Sequence, residues 1–119
     1  MNLILLIEDD PDLRETLLEL LELEGYQVDV ARDGEEGLRI LQGMDPKPGL
    51  VLVDWMMPKM GGEEFCAMKS KNPELTGIPV VILTADSAVS DKAKQAGASM
   101  GVAKPDDIEK LLSVVRHFL

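Results

Sequence analysis

The sequence predicts an α/β domain of the (βα)5 type, in which five strands form one parallel sheet. Short apolar runs of strand length alternate with segments of helical period along all 119 residues,. Several of these runs are apolar throughout, as expected for strands covered on both faces, and polar residues follow where they end,. Alternation of this kind gives a doubly wound sheet with helices on both faces. The length fits one domain spanning residues 1–119.

The first strand and helix have clear boundaries. Leu3–Ile7 is an unbroken apolar run. Asp10 and Pro11 then suit the N-cap and first position of a helix, and Gly25 suits its C-terminal stop,. The buried stripe of this helix is predicted to contain Leu13, Leu17, Leu20 and Leu21,.

Weaker signals mark the next elements. Residues 26–31 predict a second strand, Asp33-Gly34 a turn, and residues 35–42 a helix,. Residues 43–49 contain two prolines and predict a loop before a third strand at 50–53,.

The second half repeats the alternation. Gly62–Ser70 predicts a helix, residues 79–83 a strand, residues 88–96 a weak helix, and Met100–Ala103 a short strand,. A last helix begins at Pro105, followed by two acids suited to its positive end,. Its predicted buried stripe is Ile108, Leu111, Leu112, Val115 and Phe118.

The charge balance excludes some partners. With 22 acids against 12 bases, the net charge is −10, which argues against binding nucleic acid through its phosphates and against anionic membrane surfaces,. The run at Leu3–Ile7 is too short to cross a membrane, so no membrane insertion is expected. One cysteine, Cys66, cannot form an internal disulfide, and this favours a cytoplasmic location,.

Acidic, hydroxyl and basic side chains lie at the ends of the predicted strands. In parallel sheets of this kind, ligands bind beyond the carboxyl ends of the strands. The residues concerned are Glu8, Asp9, Asp54, Thr84 and Lys104. Three carboxylates brought together there would repel one another, and a hard cation such as Mg²⁺ would relieve that repulsion. Asp10 is interpreted as a helix cap and not as a ligand.

The same residues suit transfer of phosphate to an aspartate. The carboxylate of Asp54 can attack phosphorus and form an acyl phosphate. Catalysis then needs charge neutralisation and in-line positioning. A cation and the ammonium group of Lys104 can supply the neutralisation, and the hydroxyl of Thr84 can donate a hydrogen bond to a phosphoryl oxygen.

The chain resembles a receiver domain of two-component response regulators. The resemblance runs through LILLIEDDP from Leu3, VDWMMP ending at Pro58, ILTA around Thr84 and VAKP ending at Pro105. It implies a flavodoxin-like fold with strand order 2-1-3-4-5. It also implies that Lys104-Pro105 is a cis bond.

The resemblance implies a role for each matching position. Asp54 corresponds to the phosphoacceptor and Asp9 to a direct metal ligand. Glu8 corresponds to the acid that holds the metal through water, and the backbone carbonyl of Met56 to a further ligand. Thr84 corresponds to the switch hydroxyl and Lys104 to the lysine that pairs with the phosphate.

Two features depart from the family pattern. Gly101 stands where receivers often have an aromatic residue that moves on phosphorylation. The stretch from Thr84 to Gly97 is about two residues shorter than usual, which predicts a short fourth helix or a tight loop before it. Both features leave phosphorylation in place. Because Gly101 has no ring, output is not expected to use an aromatic residue at this position, and a shift of the Thr84 loop and the fourth helix is the remaining candidate.

The predicted function is a phosphoacceptor switch and not a metabolic enzyme. It would take phosphate from a histidine kinase or histidine phosphotransfer protein in a Mg²⁺-dependent reaction and then change its surface for a downstream partner. The chain would be a single-domain regulator or a receiver from a longer protein.

Two alternatives remain open. One is a phosphorylation-independent interaction module with the receiver fold. The other is an enzyme of similar architecture, such as a small phosphatase or a flavin carrier. The acids after the first strand disfavour a flavin carrier, and the length leaves no room for a phosphatase cap domain.

Overall fold

A single five-stranded parallel sheet forms the centre of the domain. The computed structural model describes residues 2–55, 57, 59–84, 100–103 and 108–119. Its strands are β1 (Leu3–Ile7), β2 (Gln27–Ala31), β3 (Leu50–Asp54), β4 (Val80–Thr84) and β5 (Met100–Ala103). Helices in the described part are α1 (Pro11–Leu23), α2 (Gly34–Gly43), α3 (Gly62–Ser70) and α4 (Ile108–Phe118). The sheet order, β2-β1-β3-β4-β5, confirms the predicted topology.

Helices cover both faces of the sheet, because the strand side chains alternate between two separate cores. Leu5 and Ile7 of β1 point into one core, together with Phe65 of α3. Ile4 and Leu6 point into the other core, which α1 and α4 cover. All four of these β1 side chains are fully buried, which explains why the strand is apolar without a polar alternation.

The ends of α1 form as the sequence predicts. The side chain of Asp10 accepts hydrogen bonds from the backbone N–H groups of Asp12 and Leu13, at 3.0 and 3.4 Å. Pro11 is the first helical residue, and Gly25 follows the C-cap with a φ of 94°. A left-handed φ of this kind costs glycine little, so Gly25 ends the helix.

The start of α2 differs from the prediction. Asp33 is the N-cap and accepts a hydrogen bond of 2.8 Å from the backbone N–H of Glu36. Because the cap takes this position, Gly34 is helical and does not belong to a separate turn. The helix therefore covers Gly34–Gly43 and not residues 35–42.

The C-terminal helix α4 buries Leu111, Leu112 and Val115 as predicted, and also Val114, which lies outside the predicted stripe. The helix predicted at 88–96 lies outside the described residues, as does the predicted start at Pro105. Within the described part of the chain, no helix is long and apolar enough to cross a membrane.

Candidate functional site

Three carboxylates converge at the carboxyl edge of the sheet. β1 and β3 are neighbours, with Ile7 paired to Val53, so the residues that follow this pair lie side by side. Glu8 and Asp9 follow β1, and Asp54 is the last residue of β3. One carboxylate oxygen from each lies within 4.8 Å of the other two. This grouping, predicted from the strand ends, is the arrangement of hard oxygen ligands that suits a divalent cation.

The three acids differ in burial. Glu8 is fully buried and Asp54 is 6% exposed, whereas Asp9 is half-buried. Burying several carboxylates together is costly unless a counter-charge or hydrogen bonds compensate them. The pairing of β1 with β3 brings these carboxylates together at the end of the sheet.

Hydrogen bonds hold both the backbone and the carboxylate of Glu8. Its backbone N–H donates to the carbonyl of Ala31 at 3.0 Å, which continues the contact between β1 and β2. Its carboxylate Oε2 accepts a hydrogen bond from the N–H of Asp10 at 3.2 Å. Its carbonyl accepts a hydrogen bond from Nη1 of Arg14 at 3.0 Å. The backbone and carboxylate of Glu8 are therefore both held in place.

The contact of Arg14 was not predicted. Arg14 lies in the first turns of α1, four residues after the cap Asp10, and reaches back to the end of β1. The sequence signal that could have identified this contact is a basic residue in the first turns of a helix that begins directly after a cluster of acids. Asp10 itself serves as the cap, as the sequence predicts, and lies outside the cluster that could hold a metal.

The remaining predicted site residues are only partly described. Thr84 ends β4 and pairs with Ala103, and its neighbour Leu83 pairs with Asp54. The backbone of Thr84 is therefore beside the acidic cluster, whereas its hydroxyl lies outside what the structure describes. Met56, Lys104 and the predicted cis bond at Lys104-Pro105 also lie outside the described residues. Their roles stay predictions.

Gly101 lies in β5, where it pairs with Ile82. The position that often carries an aromatic residue in receivers is therefore a glycine within the sheet. How the signal leaves the domain stays a prediction.

A polar network surrounds the start of α2. The Nε and Nη2 atoms of Arg32 donate to Oε2 of Glu36 at 3.2 and 3.0 Å. The hydrogen bonds from the Arg32 side chain and backbone lower the pKa of Glu36. The Nη2 atom of Arg39 lies 3.8 Å from the same carboxylate oxygen, Oε2 of Glu36. The contacts of Arg32, the residue after β2, join the first turn of α2 to the end of that strand.

Cys66 is a core residue. It is 2% exposed, and burial raises the pKa of its thiol to about 11. Burial also lowers the pKa of Lys69, three residues further along α3. A thiol that stays protonated at neutral pH is a poor nucleophile. Its environment is therefore that of a packing residue and not of a reactive group.

Comparison with known proteins agrees with this geometry. The family model described as the response regulator receiver domain matches residues 4–116. The chain is 35% identical over 121 residues to the DNA-binding dual master transcriptional regulator RpaA of Synechocystis sp., covering 100% of this chain and 49% of that protein. The chain spans about half the length of the curated relatives it matches.

Two solved structures are similar over the whole chain. One is the signal receiver domain of a signal transduction histidine kinase from Syntrophus aciditrophicus, with a TM-score of 0.89, 34% identity and coverage of 100% of this chain and 90% of that one. The other is the response regulator TrrA from Thermotoga maritima in complex with Mg²⁺ and BeF, with a TM-score of 0.87, 32% identity and full coverage of both chains. Both structures therefore share the fold of this chain over its whole length.

Proposed function

Since the chain belongs to the family of response regulator receiver domains, we propose that it is a phosphoacceptor switch with Asp54 as the acceptor. The observation that carries the proposal is the convergence of Glu8, Asp9 and Asp54 within 4.8 Å. A single acid at a strand end has many explanations. Three acids from two neighbouring strands, in a chain of this family, are best explained by phosphoryl transfer to an aspartate.

The proposed reaction is a direct displacement. A carboxylate oxygen of Asp54 attacks phosphorus in a phosphohistidine donor and forms an acyl phosphate. The bond from phosphorus to the imidazole nitrogen breaks, and that nitrogen keeps the electron pair. The reaction depends mainly on positioning and on neutralising the phosphoryl oxygens. The hydrogen bonds that hold Glu8 contribute to that positioning.

The residues present fit Mg²⁺. Glu8, Asp9 and Asp54 would hold it, and the backbone carbonyl of Met56 is the further ligand that we propose. When bound, Mg²⁺ would neutralise part of the charge on the phosphoryl oxygens. The structure of TrrA, which contains Mg²⁺ and BeF, supports this choice of cation. For Thr84 and Lys104 we propose contacts with the phosphoryl oxygens.

The proposed role is signalling and not metabolic catalysis. The donor would be a histidine kinase or histidine phosphotransfer protein, which we expect the chain to meet in the cytoplasm. Phosphorylation would change the surface offered to a downstream protein, since a charge change at one site can bias a two-state surface.

The test is the intact mass of the protein after incubation with acetyl phosphate, with and without Mg²⁺. We expect the mass of one phosphoryl group to be added only with Mg²⁺. Asp54→Asn should abolish it. Asp29→Asn, which changes an exposed acid on β2, should leave it unchanged. Equal labelling of Asp54→Asn would place the acceptor elsewhere, and no labelling of the wild type would favour a phosphorylation-independent interaction module.

A further inference from the structure

The start of α2 touches the loop between β3 and α3 through its backbone. The N–H of Gly34 donates to the carbonyl of Met60 at 3.1 Å. A Cβ atom at position 34 would lie 2.5 Å from that carbonyl oxygen and 2.8 Å from Cγ of Met60. Contacts with a backbone oxygen cannot be relieved by rotating a side chain. Only glycine therefore fits at position 34 with the loop in its present place.

The end of this loop and the first residue of α3 touch the backbone at the end of β3 and of Trp55, which follows it. The N–H of Gly62 donates to the carbonyl of Trp55 at 3.0 Å. A Cβ atom at Gly61 would lie 2.8 Å from the same carbonyl, and one at Gly62 would lie 2.9 Å from the carbonyl of Asp54. The segment 60–62 is thus packed between the start of α2 and the end of β3, with backbone contacts on both sides.

Side-chain hydrogen bonds hold the start of the helix at Gly34. Asp33 caps its first turn, and Arg32 holds Glu36 through two side-chain hydrogen bonds. The loop includes Lys59 with a φ of 65°, a left-handed conformation that is uncommon for a residue with a side chain,. A change at the contact should therefore displace the loop and not the helix.

We propose that Gly34 is a positioning residue for phosphoryl transfer, acting through Met60 and the Gly61-Gly62 backbone on Asp54. The inference rests on the proposed function, because Asp54 must be the acceptor for its position to affect the reaction. A methyl group at position 34 requires the Met60 carbonyl to move by about 0.5–0.9 Å to reach the 3.0–3.4 Å range of tight contacts. Displacements near 1 Å can slow a positioned reaction by about 100-fold.

Three glycine-to-alanine variants of α2 separate positioning from stability. Gly34→Ala inserts its methyl group against the loop. Gly37→Ala inserts one against the side chain of Ile7 in the core, and the three nearest atoms all belong to Ile7. Gly43→Ala meets nothing within 4 Å and is the neutral control. For each variant, the measurements are the rate of labelling by acetyl phosphate with Mg²⁺, the Trp55 fluorescence without Mg²⁺, and urea unfolding.

We expect Gly34→Ala to shift the Trp55 emission and to slow labelling of the folded protein about 10- to 100-fold, with Gly37→Ala and Gly43→Ala within about twofold of wild type. Labelling of Gly34→Ala at the wild-type rate would overturn the proposal. Equal slowing by Gly34→Ala and Gly37→Ala would also overturn it, because lost stability would then explain both.

Two other outcomes are possible, a Gly34→Ala variant that does not fold and a wild type that is not labelled. If Gly34→Ala does not fold, Gly61→Ala acts on the other side of the loop and should slow labelling in the same way. If the wild type is not labelled, the proposed function fails. The Trp55 emission then tests separately whether a methyl group at position 34 displaces the loop, and an unshifted emission in Gly34→Ala would show that it does not.

Discussion

Replacing Asp9 with asparagine should have opposite effects on stability and on metal binding. The substitution keeps the shape of the side chain but removes one of three carboxylate charges that lie within 4.8 Å of one another. Without a cation, the total repulsion within the cluster is lower when two acids are charged than when three are. With Mg²⁺, the same change removes a ligand. We therefore expect Asp9→Asn to be more stable than wild type without metal and less responsive to Mg²⁺.

The magnitude follows from the separation of the charges. At 4.8 Å, two unit charges repel by about 3.5 kcal/mol at an effective dielectric constant near 20 and by about 0.9 kcal/mol in water,. Asp9 faces two such neighbours but is only half-buried, so solvent screens it. We expect the free energy of unfolding of Asp9→Asn to exceed that of wild type by about 1–2 kcal/mol without metal. This is close to the sum of the repulsion of Asp9 with its two neighbours at the dielectric constant of water.

The effect of Mg²⁺ has the reverse sign. A ligand that binds only the folded state adds about 2.7 kcal/mol at a concentration 100 times its Kd. Wild type should gain this amount at such a Mg²⁺ concentration, whereas Asp9→Asn should gain much less. The order of stability of the two proteins should therefore reverse when Mg²⁺ is added.

The assay is urea unfolding followed by far-UV circular dichroism, once with a chelator and once with excess Mg²⁺. Asp29→Asn is the control, because it changes the net charge equally at an exposed position of β2. If Asp9→Asn is destabilised by about 1 kcal/mol or more without metal, repulsion does not dominate the cluster. If Mg²⁺ stabilises both proteins equally, Asp9 is not a ligand.

Three more outcomes are expected. Thr84→Ala should still be phosphorylated but should weaken any phosphorylation-dependent partner binding; unchanged binding would remove Thr84 from the switch. Gly101→Phe should change partner affinity more than the rate of labelling, and the reverse would argue against a separate output surface. For Cys66, burial raises the pKa of the thiol from 9.0 to about 11, so its stabilising contribution is complete below pH 9 and is lost as the pH rises to 11,. That loss is about 2–3 kcal/mol in unfolding experiments, and Cys66→Ala should not show it; an equal loss in the variant would assign it to other groups.

Local sequence patterns were sufficient to predict most of the fold. The strand at Leu3–Ile7 follows from an unbroken apolar run, and the two cores bury its last four residues completely. The ends of α1 follow from Asp10 and Gly25, since capping depends on residues close in sequence,. The start of α2 was misplaced because Asp33 could serve as a turn residue or as a cap, and its hydrogen bond to Glu36 decides between them.

The sequence by itself determined the fold class and the three acids of the site. Parallel strands bring their carboxyl ends to one edge, so the strand ends sufficed to group Glu8, Asp9 and Asp54. Only the tertiary structure decided which distant backbones touch. The bond from Arg14 to Glu8 and the contact of Gly34 with Met60 depend on how α1 and α2 pack on the sheet. Such packing depends on distances between segments, which no local periodicity encodes.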